Sequence, residues 1–339
     1  PPPPPPPPPP PCSSRRRHTR CAIKSRGLGD VYKRQDLPYP AWRDTSATLH
    51  LWTQIVGKIR LIQTPWLNHS WHCTLYVTPN GLTTSSIPYG DRTFELTFDF
   101  IRHVLLVASD DGANREIDLR PRSVADFHAA VMAALSELGL PVRINEMPNE
   151  IPDAIPFSQD ETHAAYDPVY AERHWRALVQ IDRVFKLFRT SFLGKSSPVH
   201  FFWGSFDMAV TRFSGRTAPR HPGGVPNLPD TVAQEAYSHE VSSAGFWPGS
   251  PGVEFPAFYA YAYPEPDGYA KAPVKPAEAY YDDNLKEFVL PYEAVRTAEN
   301  PDQALLDFLI STYEAAANGA NWDRKALECP LGIAGKPRA

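Results

Sequence analysis

Between Arg92 and Leu119 the sequence reads RTFELTFDF, then HVLLVAS, then REIDL, with Asp111-Gly112 before the last run. Phe94, Leu96, Phe98 and Phe100 alternate with polar residues, the period-two pattern of a strand with one dry and one wet face. Asp-Gly supplies the positive backbone angles of a tight reversal, so the next two runs pair as a β-hairpin. Locally paired strands of this kind make an antiparallel sheet, whose apolar face needs a layer of helices. The sequence therefore predicts an α+β fold of mainly antiparallel sheets covered by helices.

Apolar periodicity predicts the helices. The first carries Leu49, Trp52, Ile55, Val56, Ile59 and Ile62 on one stripe. A second follows Ser123, its expected cap, with Val124, Phe127, Val131, Leu135 and Leu138 inward. A third runs from about Asp167 to Phe192 through Trp175, Leu178, Ile181, Phe185 and Phe188. The last opens with Asn300 as cap and Pro301 in first position, and carries Leu305, Phe308, Leu309, Thr312 and Ala316. Further strands are WHCTLYVT, VHFFWGSF, MAVTRFS and FYAYAYP. In the last, Tyr259, Tyr261 and Tyr263 alternate with Ala260 and Ala262, giving one bulky face and one that a helix can approach closely.

The order of elements repeats. Gln54-Ile55 and Gln180-Ile181 stand in the first and third helices, His72 and His200 open strands, and Thr83 and Thr211 follow at equal spacing. Asp126-Phe127 and Asp307-Phe308 stand in the closing helices. This suggests two α–β-meander–α modules, a possible internal duplication, over 36–160 and 161–326. Residues 1–35 and 327–339 are expected to be tails without structure. The second module is the longer, with its excess in Pro/Gly-rich loops near 214–256 and 264–285, the kind of segment that tends to carry sites.

Residues 12–35, CSSRRRHTRCAIKSRGLGDVYKRQ, invite reading as a basic nucleic-acid arm behind a proline run. Back-translation instead turns Ser13–Arg20 and Ser25–Gln35 into two standard sequencing-library adapters, in order, in frame and an index length apart. The segment is therefore set aside from functional argument and expected to pack against nothing. Of 34 basic and 38 acidic residues, eight and one fall in it, which leaves 26 and 37 and a net charge of −11. An acidic body of this kind excludes nucleic acid and anionic membrane as main partners. Cys73 and Cys329 are too few for a disulfide framework and lack zinc-type spacing. No run is long and apolar enough to span a membrane. The expected location is the cytoplasm, and the oligomeric state is not specified.

Polar residues with chemistry cluster in NHSWH, VHFFWGSFDMAVTRFSGR, RHPGGVP and YSHEVSSAGFWPG. His72, His200 and Asp207 are the candidate catalytic groups, His200 and Asp207 as an oriented acid–base pair. His69, Arg92, Arg212, Trp203, His239 and Glu240 are candidate ligand contacts, with Arg212 suited to a carboxylate or phosphate. With His221, these histidines and carboxylates also suggest a divalent-metal site, though no short metal motif such as HExxH occurs. The competing reading of His69 and His72 is of buried, hydrogen-bonded imidazoles. There is no GxGxxG, P-loop or GxSxG motif, and nothing names a cofactor.

The phrases LHLWTQIVGKIRL, NHSWHCTLYVTPNGLTTSSIPYGDRTFE, PVHFFWGSFDMAVTRFSGR and YSHEVSSAGFWPG resemble domain-of-unknown-function family 5996, from about Leu37 to Trp322. The resemblance implies one conserved unit and carries no activity or site residue. Three functions are compatible with these residues: a small-molecule-binding protein or enzyme with a His-rich site between the modules, a non-catalytic scaffold using exposed aromatics such as Trp247 and Tyr269, and a divalent-metal-dependent enzyme.

Overall fold

Phe94, Leu96 and Phe98 lie buried on one face of β4 (Arg92–Asp99), while Glu95 and Thr97 keep partial exposure. The computed structural model describes residues 35–338, so the expectation for residues 1–35 falls, but for Gln35, outside the described residues. The hairpin forms as β5 (Val104–Ser109) and β6 (Asn114–Asp118), with Gly112 in its turn at φ 85°. Around them lie β1 (Tyr76–Val77), β2 (Gly81–Thr83) and β3 (Ile87–Tyr89). The first sheet has the order β1-β2-β4-β5-β6, with β3 on β4, and every pairing is antiparallel.

α1 (Tyr39–Gln63) and α2 (Val124–Glu137) accompany this sheet. Ser123 caps α2 as expected, accepting from the Asp126 amide at 3.1 Å. Trp52 of α1 stacks on Phe127 of α2 with centroids 4.5 Å apart, a contact that joins the two helices through fully buried rings. The predicted stripe of α1 is buried except for Ile62, which is 59% exposed because the last turn runs past the core. α1 also buries polar side chains on its other faces, including Gln54 and Lys58. These are satisfied by loop backbone: Gln54 bonds the carbonyl and the amide of Asn149 at 2.9 and 2.8 Å, and Lys58 reaches the Met147 carbonyl at 2.8 Å. A buried amide left unpaired costs about 1–3 kcal/mol, so the 147–149 segment is fixed to α1.

The second half contributes α3 (Pro168–Arg189), capped by Asp167, then β7 (His200–Phe202), β8 (Asp207–Thr217) and α4 (Asp230–Ala236). It continues with β9 (His239–Trp247), β10 (Ala257–Tyr263), β11 (Tyr280–Asp282), β12 (Glu287–Pro291) and α5 (Tyr292–Arg296). α6 (Pro301–Gly319) and α7 (Arg324–Leu327) close the chain. Asn300 caps α6 with Pro301 in first position, as the sequence indicates. The second sheet is also antiparallel, in the order β11-β12-β10-β9-β8-β7. The fold is α+β.

Two backbone hydrogen bonds, between Leu75 and Phe201 at 2.9 and 2.8 Å, link the edges of the sheets. A single apolar cluster runs through both halves, from Leu37 to Trp322. WHCTLYVT yields only the two-residue β1, because the 3₁₀ turn Asn68–Ser70 places His69 and Ser70 at positive φ. His72 therefore stands in a turn, whereas His200 opens β7. Residues 328–338, expected as a loose tail, are tied down: the Cys329 amide bonds the Ser191 carbonyl and the Gly332 amide bonds the Thr190 hydroxyl.

Candidate functional site

Strand register gives the second sheet two unlike faces, since paired antiparallel residues share a face. One face carries the rows Met208, Phe246, Phe258, Leu290 and Val210, Ala244, Ala260, Phe288, all within the apolar core. Arg212 lies on this face, its guanidinium 3.5 Å from the Phe188 ring centroid of α3 and 4.4 Å from that of Tyr313 in α6. The helices thus cover the alanine side of FYAYAYP, as expected from its small residues. The opposite face carries Ala209, Gly245, Tyr259 and Val289, then Thr211, Ser243 and Tyr261. Alternation adds Asp207 and Glu287 to that second face.

Two segments fold over the polar face. From the loop between β8 and β9, the Tyr237 hydroxyl meets the Tyr261 hydroxyl at 2.8 Å, His221 stacks on Tyr237 at 4.6 Å, and Pro219 accepts from Tyr263 at 3.1 Å. The segment that Gln54 fixes at Asn149 brings in the next residue, Glu150, whose amide bonds the Pro226 carbonyl at 2.8 Å and whose carboxylate accepts from the Ser205 hydroxyl. Tyr259 and Asp207 are buried and hydrogen-bonded to each other, with Trp247 stacked on Tyr259 at 4.3 Å. Tyr237, Tyr261, Tyr263, Glu150 and Glu287 remain half-buried around them. Gly245 makes the arrangement fit, since a Cβ there would lie 2.3 Å from atoms of the Tyr259 ring.

The electrostatics of this cluster are one-sided. Burial raises the Asp207 carboxyl to about 7, opposed by the Tyr259 hydrogen bond and reinforced by Glu150. Burial, with Asp207 and Asp282 nearby, raises Glu287 to about 8. Glu150 is also raised by burial, and Tyr237 is pushed up to about 12. Among the described residues, no lysine or arginine forms an ion pair with Glu150, Asp207 or Glu287. The Glu287 Oε2 is buried and has no hydrogen-bond partner. Protons near neutrality are therefore held on Asp207 and Glu287 by their burial.

The other candidate residues lie elsewhere. His200 does not pair with Asp207: its Nδ1 bonds the Thr74 hydroxyl at 2.9 Å, and burial lowers it to about 3. His72 is held by the Leu67 backbone and is likewise lowered by burial, so both rings are neutral core imidazoles with a buried Nε2 lacking a protein partner. Arg212 turns to the helices and bonds the Phe188 carbonyl and the Ser191 hydroxyl, because it is an odd number of residues from Asp207 along one strand. Arg92 pairs with Asp111 across the first sheet at 2.9 Å. Trp203 donates to the Cys73 carbonyl at 2.7 Å and lies over Gly57 of α1, where a Cβ would come 2.1 Å from its ring. Glu240 pairs with Arg216 at 2.7 Å, while His239 approaches His69 at 6.4 Å between centroids. His69 contacts the Lys195 ammonium at 2.6 Å through Nε2.

Among the described residues, no three His, Cys, Asp or Glu side chains are placed to hold a metal ion, so the metal site expected from His72, His200, Asp207 and His239 does not assemble. Tyr269, expected as an exposed anchor, is 1% exposed and packs on Phe288 at 5.0 Å; Trp247 is committed to Tyr259. No described helix is long and apolar enough to cross a membrane. Asp207 is the one catalytic candidate that reaches the cluster. Glu150, Glu287 and Tyr237, which complete the cluster, are not among the residues the sequence singles out, although Tyr237 lies in the Pro/Gly-rich stretch near 214–256.

No curated protein and no solved structure matches the chain. The family model described as a family of unknown function, DUF5996, matches residues 35–329, and the chain belongs to that family.

Proposed function

We propose that the protein binds a small organic cation, an alkylammonium compound, at the tyrosine–carboxyl face of the second sheet. The observation that carries this reading is the gathering of Glu150, Asp207 and Glu287 among tyrosines without a lysine or arginine partner among the described residues. Desolvated carboxyls in that situation hold protons, and an ammonium group would take the place of those protons as the counter-charge and meet the faces of Tyr237, Tyr261 and Tyr263. On this reading the ligand sits against the second sheet, with Glu150 reaching it from the first half, and neither His72 nor His200 takes part. Asp207, hydrogen-bonded to Tyr259, is also suited to general acid–base work on a bound amine.

Calorimetric titration with 1,4-diaminobutane tests the proposal. Binding would ionise Asp207 and Glu287, so at pH 7 it releases protons, and the measured heat changes with the ionisation enthalpy of the buffer. Glu287→Gln would weaken binding by about tenfold, the order expected for one charge-assisted contact. Absence of saturable heat, or binding without proton release, would overturn the reading.

A further inference from the structure

A concave region lies at the C-terminal end of α3, between that end, the 190–196 loop and the chain segment 330–338. It is an open cleft of about 680 Å³ lined by Lys186, Arg189, Lys195, Lys336 and Arg338, with Thr190 and Ser196 supplying hydroxyls and no acidic residue in the lining. In a body of net charge −11, five cations around one cleft are out of proportion to their surroundings. The negative end of a helix favours cations in its last turn, which accounts for Lys186 and Arg189. It does not account for Lys195, Lys336 and Arg338, which come from separate segments.

Their partners leave positive charge to spare. Among the described residues, Lys186 alone of the five pairs with an acid, Asp182, at 2.7 Å. Arg338 bonds the carbonyls of Thr190 and Pro330, and Lys195 contacts the neutral side of His69. Lys195 is further held over the rings of Trp71 and Phe213, 5.1 and 4.8 Å from their centroids. The Gly332 amide bonds the Thr190 hydroxyl at 2.8 Å, and the Lys336 amide bonds the Ile333 carbonyl at 3.0 Å, so the 330–338 segment forms a fixed wall. A volume of this size lies within the range of small-molecule sites. Arginine and lysine with hydroxyls match phosphate oxygens, through bidentate and point-charge contacts respectively.

We propose that this cleft is a binding site for a phosphate-bearing small molecule, held by Arg189, Lys195 and Lys336. Five cations confined to one open cleft on an acidic body fit a compact ligand better than a nucleic-acid strand, which needs an extended basic track.

The test is titration of inorganic pyrophosphate into the full chain at constant ionic strength, compared with the double variant Arg189→Gln/Lys336→Gln. The basic residues 15–34 are present in both proteins, so the difference reads the cleft. Both substituted residues are exposed, and an unchanged melting temperature would confirm that folding is intact. The proposal expects saturable one-to-one binding that weakens at least tenfold in the double variant and falls steeply as salt rises. No saturable binding, or equal binding by the two proteins, overturns it. So does a 20-nucleotide RNA or an anionic vesicle that binds far more tightly than pyrophosphate and loses that affinity in the variant.

Discussion

The tyrosine–carboxyl face and the basic cleft reach charge imbalance by opposite routes. On the sheet face, Asp207 is withdrawn from water, Glu150 and Glu287 are partly so, and none of the three has a counter-ion among the described residues, so they respond by holding protons. In the cleft, cations stay solvent-exposed, where screening lets like charges gather at small cost. The first arrangement is built into the core, with Asp207 4% exposed and Tyr259 5%. The second is laid on the surface. Changes to the face should therefore act on folding and ligand together, whereas changes to the cleft should act on ligand alone.

Gly245→Ala gives the largest test of that contrast. The added methyl would meet the Tyr259 ring, and overpacking a core in this way costs roughly 1–3 kcal/mol. Urea unfolding would show the loss, diaminobutane binding would disappear with the displaced ring, and pyrophosphate binding would persist. Loss of both ligands in a folded protein would break the separation of the two sites.

Next in size is the pH response of the face. The folded protein keeps protons on Asp207 and Glu287 that the unfolded chain releases above about pH 4. Folded pKa values above unfolded ones mean that stability is greatest below that point, then falls as pH rises toward about 7 for Asp207 and about 8 for Glu287. Asp207→Asn keeps an acceptor for Tyr259 and removes the titration. It should match the parent near pH 4 and exceed it at pH 8 by on the order of 1–3 kcal/mol, as read from urea midpoints across that range. Parallel pH profiles for the two proteins would contradict the proton assignment to Asp207.

Local pattern made much of the fold legible: the alternation of β4, the Asp-Gly reversal and the caps Ser123 and Asn300 all depend on neighbours in sequence. The sites depend on contacts between distant segments, and sequence pattern is silent there. Glu150 sits in an aperiodic stretch and is held at the sheet by bonds to distant segments, Gln54 fixing Asn149 and Pro226 accepting from the Glu150 amide. Glu287 becomes a neighbour of Tyr261 only through the pairing of β12 with β10. The histidines drew notice by residue type, yet burial leaves His72 and His200 neutral. The cations of the basic cleft form no charge run, because they are spread from Lys186 to Arg338.

Salt offers the smallest and most selective comparison. At about 0.1 M ionic strength the screening length is about 10 Å, and exposed charges lose most of their mutual influence beyond it. Raising salt from 50 to 500 mM should weaken pyrophosphate at the cleft by well over tenfold, because Arg189 and Lys336 face solvent. Diaminobutane at the sheet face should weaken only a few-fold, since Asp207 is shielded by the fold and Glu287 is half covered. Isothermal titrations of the two probes over one salt series measure both slopes on the same protein. Equal slopes would mean that the acids are met by solvent as freely as the cations. The burial that raises their proton affinity would then not be what holds the ligand.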